Sequence, residues 1–346
     1  MDPVVKILIL TTLAFVVTIS WTPLLTRILY KYKLGKSIRL ASDAPVYASL
    51  HGHKAGTPTM GGLLVWVTTL AFAVIFATAH AFGVPFLRDL DFLTRSETLL
   101  PLGALVVAAL VGLGDDLLNV LRVGAHGGGF AMRHRLVMYS VIAAVGAWWF
   151  VAKLEWTTLR VPFVGLADLG PMGFGLFAFA LLVATAFSVN ETDGLDGLAG
   201  GTLLTSFAAY GAIAFLQGRS DLAALTGVLT GSLLAFLWFN IPPARFFMGD
   251  TGAMALGIAL AVIALLTNAP LLLIVIGFPF AVESASVLVQ MFWKRVFGRK
   301  LFRSTPIHHH LEAAGWPEPK IVMRTWVISG VTAVLGLIIF LLDRGA

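Results

Sequence analysis

The stretch at residues 251–267 reads TGAMALGIALAVIALLT and contains no charged side chain. A helix needs about 20 predominantly apolar residues to cross the hydrocarbon core of a bilayer. Similar apolar runs recur along the 346-residue chain, of which 58% is hydrophobic and only 12% is charged, whereas soluble domains carry about 25% charged residues. The composition predicts an all-α polytopic membrane protein. It excludes a soluble globular domain and a disordered chain, and the absence of cysteine excludes a disulfide scaffold.

Ten apolar segments, separated by charge-bearing stretches, are candidates for membrane spans. They lie at residues 4–28, 58–80, 98–114, 136–153, 171–188, 199–216, 222–239, 251–267, 270–292 and 323–342. The chain has no internal repeat or low-complexity linker, so we expect a single integral membrane domain over residues 1–346. The stretch 156–166 is rich in strand formers and predicts a short external β-hairpin.

Positive charge is distributed unevenly between the two sets of connecting segments. One set contains 15 Lys and Arg residues, whereas the other contains 5. The basic set consists of residues 29–57, 115–135, 189–198, 240–250 and 293–322. Because basic residues accumulate in cytoplasmic loops, this set is predicted to be cytoplasmic and both termini periplasmic. The net charge of +6 favours contact with anionic lipids or substrates over nucleic acid.

Five aspartates within recognisable motifs fall in the same basic set of segments, although the orientation is deduced from Lys and Arg alone. They are Asp115 and Asp116 in GLGDDLLN (112–119), Asp193 and Asp196 in NETDGLDGL (190–198), and Asp250 in FFMGDTG (246–252). Adjacent carboxylates repel each other unless they share a cation, so such a pair can hold Mg²⁺, orient a phosphorylated substrate or act as a base. Solvated loop acids would not explain the repeated Asp-Gly pattern, so we expect one assembled site.

Three glycine-rich segments lie at predicted cytoplasmic helix starts. They are GTPTMGG (56–62), DGLDG (193–197) and GDTG (249–252). Helix N-termini carry positive partial charge and suit phosphate groups. The neighbouring aspartates would repel a bare phosphate, so a bridging Mg²⁺ is implied. This combination predicts transfer of a phosphorylated sugar from a nucleotide.

A run of three histidines occupies residues 308–310, within the segment PIHHHLE. Consecutive residues cannot share one face of a helix, so a three-ligand metal site on one helix is not expected. Neutral imidazoles at this predicted cytoplasmic position suit hydrogen bonding to phosphate or sugar.

Five motifs resemble those of the phospho-N-acetylmuramoyl-pentapeptide transferases (the MraY family), within the polyprenyl-phosphate N-acetylhexosamine-1-phosphate transferase superfamily. They are GTPTMGG (56–62), GLGDD (112–116), NETDGLDGLAGG (190–201), FMGDTG (247–252) and FRSTPIHHHLEAAGWPEPK (302–320). The last is the most specific, because sister GlcNAc-1-phosphate transferases typically have a shorter His motif there. The resemblance implies ten transmembrane helices, usually a homodimer, in the bacterial cytoplasmic (inner) membrane with the active site facing the cytoplasm.

The resemblance also implies a reaction and its ligands. Such enzymes transfer phospho-MurNAc-pentapeptide from UDP-MurNAc-pentapeptide to the membrane lipid undecaprenyl phosphate. The products are lipid I and UMP, the pathway is peptidoglycan biosynthesis, and Mg²⁺ is required.

Residue roles follow by motif from the same resemblance. Asp250 is expected to bind Mg²⁺, and Asp115, Asp116 and Arg135 are expected near the lipid phosphate. Asp116 is expected to act as base or nucleophile, because both direct attack and a covalent intermediate are advanced for the family. The expected nucleotide-sugar pocket consists of Lys54, Thr59, Asn190, Asp193, Asp196, Asn240, Phe247, Gln290, His308, His309 and His310. Phe247 is expected to stack on uracil.

Three residues depart from the family pattern: Phe187 stands where Asn is common, Arg135 where Lys is common, and Ala253 where Ser is common. Arg135 keeps the positive charge but changes the geometry available to a phosphate. Phe187 removes a polar group, which puts a pocket role there in doubt.

Glu283 is the one acid inside a predicted span, and an intramembrane carboxylate is either a functional group or a buried hydrogen-bonded helix contact. A transferase that uses UDP-GlcNAc is the nearest alternative function. An ion-coupled transporter would need paired ionisable groups near the bilayer midplane, and Glu283 is the single acid that the sequence places inside a span. A non-catalytic scaffold would leave the repeated Asp-Gly motifs unexplained.

Overall fold

The computed structural model describes residues 1–35, 52–54, 56–124 and 128–345. Much of the predicted loop 29–57 and the centre of the loop 115–135 therefore lie outside the described residues. All ten predicted spans coincide with helical structure. The helices are α1 (Pro3–Lys31), α2 (Leu63–Ala81), α3 (Leu99–Val120), α4 (Met132–Ala152), α5 (Gly170–Thr192), α6 (Leu198–Leu216), α7 (Ser220–Asn240), α8 (Asp250–Leu266), α9 (Leu273–Ile276), α10 (Phe278–Phe297), α11 (Ile307–Ala313) and α12 (Glu318–Gly345).

The lengths and composition of these helices make the chain an all-α polytopic membrane protein. Within the described residues, eight helices are long and apolar enough to cross a membrane. The ninth predicted span is broken, because the segments Pro270–Ile276 and Phe278–Phe297 meet at 87°. Pro279 has no backbone N–H to donate to the carbonyl of Val275, so the first segment cannot continue into the second as one regular helix.

Helix α8 forms the centre of the helix bundle. It has 17 residues, all of them buried, and it packs mainly against α3 and α5. A helix that is apolar on all sides is typical of such a position. Asp250 is its first residue. The central packing of α8 therefore places a carboxylate at one end of the bundle core.

Several helices extend beyond the apolar runs that predicted them. Helix α3 continues to Val120, so Asp115 and Asp116 lie on its last turns. The predicted span ended at residue 114 and had placed both aspartates in the following loop. Helix α12 begins at Glu318, ahead of the predicted residue 323. Charged side chains end an apolar run without ending the backbone hydrogen bonding of a helix, which explains both differences.

The predicted β-hairpin is confirmed, and its external location stays a prediction. Strands β1 (Thr158–Val161) and β2 (Gly165–Asp168) pair antiparallel, with Thr158 opposite Asp168. The second strand ends beyond the predicted residue 166. Asp343 of α12 anchors the hairpin, because its Oδ2 lies 2.5 Å from Nε of Arg160. The hairpin joins the ends of α4 and α5 that lie away from Arg135 and Asn190, so it marks the opposite side of the bundle.

Candidate active site

Four separate chain segments converge on one charged centre. Nη2 of Arg135, in the first turn of α4, lies 2.6 Å from Oδ2 of Asp115 and 2.9 Å from Oδ2 of Asp250. The backbone N–H of Phe130 donates to Oδ1 of Asp115, and the side-chain amide of Asn190 donates to Oδ1 of Asp250. Both aspartates are buried. The structure thus brings Asp115 and Asp250 into one site, as the motifs predicted, and adds Arg135 and Asn190 to it.

Close backbone contact between α3 and α8 makes this convergence possible. A Cβ on Gly112 would lie 2.3 Å from the backbone carbonyl oxygen of Asp250. Any side chain larger than hydrogen would therefore push the two helices apart. Gly112, the first glycine of the GLGDD motif, is therefore a requirement of helix packing.

Asp116 faces the start of α8 from the other side. Its Oδ1 accepts from Oγ1 of Thr59 at 3.1 Å, and its Oδ2 accepts from the backbone N–H of Thr251 at 3.0 Å. The first N–H groups of a helix have no partner within the helix, so Asp116 satisfies one of them from another helix. Gly249 has φ +74°, and a Cβ there would lie 2.5 Å from Oδ2 of Asp116. This explains the glycine in the GDTG motif.

Lys54 lies in a second charged cluster near the first. Its Nζ is 2.7 Å from Oδ1 of Asp196 and 2.5 Å from Oε1 of Glu318. Burial would lower the pKa of Lys54, but the hydrogen bonds and charges of the two carboxylates outweigh it and raise that pKa above its usual value. The same Nζ lies 6.0 Å from the ring centre of Phe247. Lys54, Asp196 and Phe247, all expected in the nucleotide pocket, are therefore neighbours.

Comparison with known proteins identifies the family. Residues 98–268 match the model described as Glycosyl transferase family 4, and residues 54–64 match Phospho-N-acetylmuramoyl-pentapeptide-transferase signature 1. A protein named Phospho-N-acetylmuramoyl-pentapeptide-transferase from Geobacillus sp. (strain WCH70) is 36% identical over 94% of this chain and 95% of its own length. Proteins of the same name from Moorella thermoacetica and Chloroflexus aurantiacus are 38% and 36% identical, over 94% and 96% of this chain and 96% and 89% of their own lengths.

The chain belongs to the phospho-N-acetylmuramoyl-pentapeptide-transferase family. The signature and these relatives support this family over the UDP-GlcNAc transferases that the sequence had left as the nearest alternative. The transporter alternative also loses its basis, since within the described part of the chain Glu283 pairs with His308 of α11, which lies between two spans.

Two residues that the family resemblance implies in the pocket are directed at the backbone. Oδ1 of Asn240 accepts from the N–H of Gly197 at 3.0 Å, and its Nδ2 donates to the carbonyl of Phe246 at 2.8 Å. Oε1 of Gln290 accepts from the N–H groups of Leu301 and Phe302 at 2.9 and 3.0 Å. In this geometry both amides hold loops in place.

The three histidines have three different partners. Nδ1 of His308 lies 2.9 Å from Oε2 of Glu283, and Nδ1 of His309 lies 2.7 Å from Oε2 of Glu312. Nδ1 of His310 accepts from the backbone N–H of Arg303 at 3.1 Å. Burial would lower the pKa of His308, but Glu283, Glu312 and Glu191 outweigh it and raise that pKa above its usual value.

Other expected pocket residues lie at the rim of these clusters. Asp193 follows the last residue of α5 and is partly exposed, and the nearby α6 starts only at Leu198, after Gly197 in a left-handed conformation. Thr59 is buried against Asp116. Phe187 is partly buried against the core, which fits its departure from the polar family pattern.

Sequence reasoning missed Glu318 as a member of the site. Its carboxylate bonds to Lys54 and also accepts from the backbone N–H of Asp196 at 2.7 Å. Glu318 could have been found from its position, because it is an acid in the basic segment 293–322 and lies inside the specific motif 302–320. The partner of Glu283 was also missed, since a contact between Glu283 and His308 is not encoded locally.

The charged centre offers a suitable donor set for Mg²⁺. Among the described residues, no group of three or more His, Asp and Glu side chains is arranged to hold a metal. However, Mg²⁺ commonly uses only one or two carboxylates together with water and substrate phosphates. Asp115 and Asp250 already direct two oxygens at one cation, the Arg135 guanidinium. These residues therefore fit the ion that the sequence motifs imply.

Proposed function

We propose that this chain transfers phospho-MurNAc-pentapeptide from UDP-MurNAc-pentapeptide to undecaprenyl phosphate, giving lipid I and UMP for peptidoglycan synthesis. The observation that carries the proposal is the convergence of Asp115, Asp250 and Arg135. The convergence occurs in a chain related to these transferases over nearly its full length. A buried site with two carboxylates and one cation suits phosphoryl transfer, which depends mainly on positioning and on neutralising charge.

In this reaction, an oxygen of the lipid phosphate forms a bond to the phosphorus that carries the sugar. The bond from that phosphorus to the bridging oxygen breaks, and UMP leaves with the electron pair. Mg²⁺ bound at Asp250 would supply positive charge next to the pyrophosphate. Arg135 orients the lipid phosphate, and Asp116 acts on that phosphate as base. In the two-step route, Asp116 would instead attack the sugar-bearing phosphorus and release UMP, and the lipid phosphate would then displace Asp116.

An apolar cavity beside Asp115 supports this placement of the lipid. The cavity has a volume of about 450 Å³ and opens between the end of α3 and the start of α4. Its lining includes Leu118, Val123, Phe130 and Val137. Apolar walls next to a charged centre suit a phosphate that is joined to a polyprenyl chain.

The nucleotide is assigned to the neighbouring cluster around Lys54, with Phe247 stacking on uracil. Lys54 can exchange its bonds with Asp196 and Glu318 for a bond to a substrate phosphate. Asn190, Asp193, His309 and His310 complete the pocket. His308 is fully buried, and Asn240 and Gln290 support the loops of the pocket.

We assign the active site to the cytoplasmic face of a multi-pass protein in the bacterial inner membrane. The proposed site lies on the side of the bundle whose connections carry 15 of the basic residues. Both termini would then be periplasmic, and the chain would form one membrane domain. A homodimer is the expected assembly, which the mass of the protein in nanodiscs would test.

Release of UMP from UDP-MurNAc-pentapeptide, measured with undecaprenyl phosphate and Mg²⁺, tests the function. Wild-type protein should require both the lipid and the metal. Asp250→Asn should lower kcat at least about 100-fold, because a carboxylate that binds the metal is lost. Asp89→Asn, an exposed acid on the opposite side, is the matched control and should stay within about twofold. Full activity of Asp250→Asn would overturn the metal assignment.

A further inference from the structure

Glu283 is a buried carboxylate whose role the proposed reaction does not explain. It lies on α10, just after the 87° break in the ninth span, and is 4% exposed. A buried carboxylate within a span carries a large desolvation cost unless it is well paired. A carboxylate at this position therefore needs a specific partner.

The partner is the start of α11. Oε2 of Glu283 lies 2.9 Å from Nδ1 of His308 and also accepts from the backbone N–H of His308 at 3.3 Å. Helix α11 has no capping side chain of its own, because Pro306 stands at its N-cap. Glu283 therefore caps α11 from another helix and holds the imidazole ring in one orientation.

The other edge of this imidazole faces the turn between α5 and α6. His308 is fully buried, and its Nε2 has no hydrogen-bond partner among the described residues. A Cβ on Gly194 would lie 2.3 Å from Nε2 and 2.9 Å from Cε1 of His308. The imidazole thus packs directly on Gly194. Gly194 lies between Asp193 and Asp196, and Asp196 is bonded to Lys54.

We propose that Glu283 is a positioning residue that, through His308, fixes the turn 193–197 and so sets the geometry of the nucleotide pocket. The inference rests on the proposed function, because that function assigns Asp193, Asp196 and Lys54 to the nucleotide. It adds a residue from the interior of a span to the determinants of nucleotide binding. Gly194, on which His308 packs, lies two residues before Asp196, which bonds to Lys54 on the nucleotide side of the proposed site.

The test compares Glu283→Gln with Ser284→Ala in full-length protein. Gln keeps a hydrogen-bond acceptor for His308 but removes the charge. Ser284 is the next residue on α10, and its Oγ accepts from Oγ of Ser188 on α5 at 2.8 Å. Ser284→Ala therefore disturbs the packing of α10 without touching His308. A cooperative thermal unfolding transition in each variant would show that both are folded.

Glu283→Gln should raise KM for UDP-MurNAc-pentapeptide about tenfold, equivalent to about 1.4 kcal/mol, with KM for the lipid and kcat within about threefold of wild type. Calorimetric binding of UDP-MurNAc-pentapeptide should weaken by the same factor. Ser284→Ala should leave both values within about twofold. Equal losses in all kinetic parameters, or equal effects of the two variants, would overturn the proposal.

A double mutant checks that the effect passes through His308. Gly194→Ala places a methyl group against the imidazole and should weaken nucleotide binding by itself. Adding Glu283→Gln to Gly194→Ala should then cost less than about twofold more, because the relay is already broken. Independent, multiplying effects would contradict the relay. If wild-type protein neither binds nor turns over UDP-MurNAc-pentapeptide, the proposed function itself fails. If wild-type protein is active but Glu283→Gln and Ser284→Ala have the same effect, only the relay fails.

Discussion

Arg135 is the residue on which the two buried carboxylates of the centre converge. Its single Nη2 lies within 2.9 Å of an oxygen of both Asp115 and Asp250. Arg135→Ala would leave these carboxylates facing each other without a resident cation, and we expect kcat/KM to fall about 100-fold. Arg135→Lys restores the residue common in the family and should stay within about tenfold.

Steady-state kinetics with both substrates measures this difference. Arg133→Ala, on the same first turn of α4, is a control that removes a similar charge. Wild-type kinetics in Arg135→Ala would contradict the assignment of Arg135 to the reacting phosphates. A similar loss in Arg133→Ala would point to the general charge of the loop.

Single residues also show how far the sequence could predict the site. Asp115 and Asp250 were predicted because each lies in a glycine-containing motif at a span end, and local sequence is enough to recognise such motifs. Glu318 and the pairing of Glu283 with His308 depend on contacts between distant segments. No local pattern encodes which carboxylate meets which base in the folded chain.

At the scale of elements, contact between α3 and α8 determines the spacing of Asp115 and Asp250. Gly112→Ala should destabilise the protein by about 1–3 kcal/mol and reduce activity, because its Cβ would meet the backbone of Asp250. Gly114→Ala is the matched control on the same helix, since a Cβ there has no neighbour within 4 Å. Alanine should be tolerated at 114 and even favoured by helix propensity.

Thermal unfolding and UMP release of these two variants check the packing argument. The expected order of stability is Gly114→Ala at or above wild type, with Gly112→Ala clearly below. Equal stability of the two variants would mean that α3 and α8 are not in the close contact described.

The attachment of α11 to α10 should depend on pH. Because the pKa of His308 is raised above its usual value of 6.5, folding favours the protonated imidazole. The resulting stabilisation is fully present below about pH 6.5 and is lost as the pH rises through the raised pKa. Glu283, Glu312 and Glu191 are the acids that produce this stabilisation.

Unfolding temperatures measured from about pH 6 to about pH 9 test this linkage. The difference between wild type and Glu283→Gln should be largest at the acidic end and should shrink as the pH rises. A difference that does not change with pH would contradict this linkage, because it would show that His308 keeps one protonation state in the folded protein across the whole range.

At the scale of the whole molecule, all ten predicted apolar segments are helical, but only eight are single helices long and apolar enough to span a membrane. The ninth predicted span is bent, and α8 has 17 residues. Helix α8 is surrounded by protein on all sides, and hydropathy cannot distinguish burial in protein from burial in lipid. The bend at Gly277 depends on Pro279 together with the packing of α10, whereas the apolar pattern runs through it uninterrupted. Helix ends such as Glu318 lie beyond the apolar runs, because a charged side chain ends an apolar run but does not interrupt the backbone hydrogen bonds of a helix.

The orientation of the protein can be tested directly, because the chain contains no cysteine. A single cysteine at Val164, which is 81% exposed at the hairpin, should react with a membrane-impermeant maleimide added to intact spheroplasts. A cysteine at Lys300, between α10 and α11, should react only after the membrane is permeabilised. The reverse pattern would place the active site outside the cytoplasm.

The transferred group, phospho-MurNAc-pentapeptide, distinguishes the proposed reaction from that of the UDP-GlcNAc transferases. Transfer of labelled sugar into a lipid-extractable product, with undecaprenyl phosphate as acceptor, compares UDP-MurNAc-pentapeptide directly with UDP-GlcNAc. We expect kcat/KM for UDP-MurNAc-pentapeptide to exceed that for UDP-GlcNAc by at least about 100-fold, with UMP released in an amount equal to the lipid product. Efficient transfer from UDP-GlcNAc and none from UDP-MurNAc-pentapeptide would contradict it.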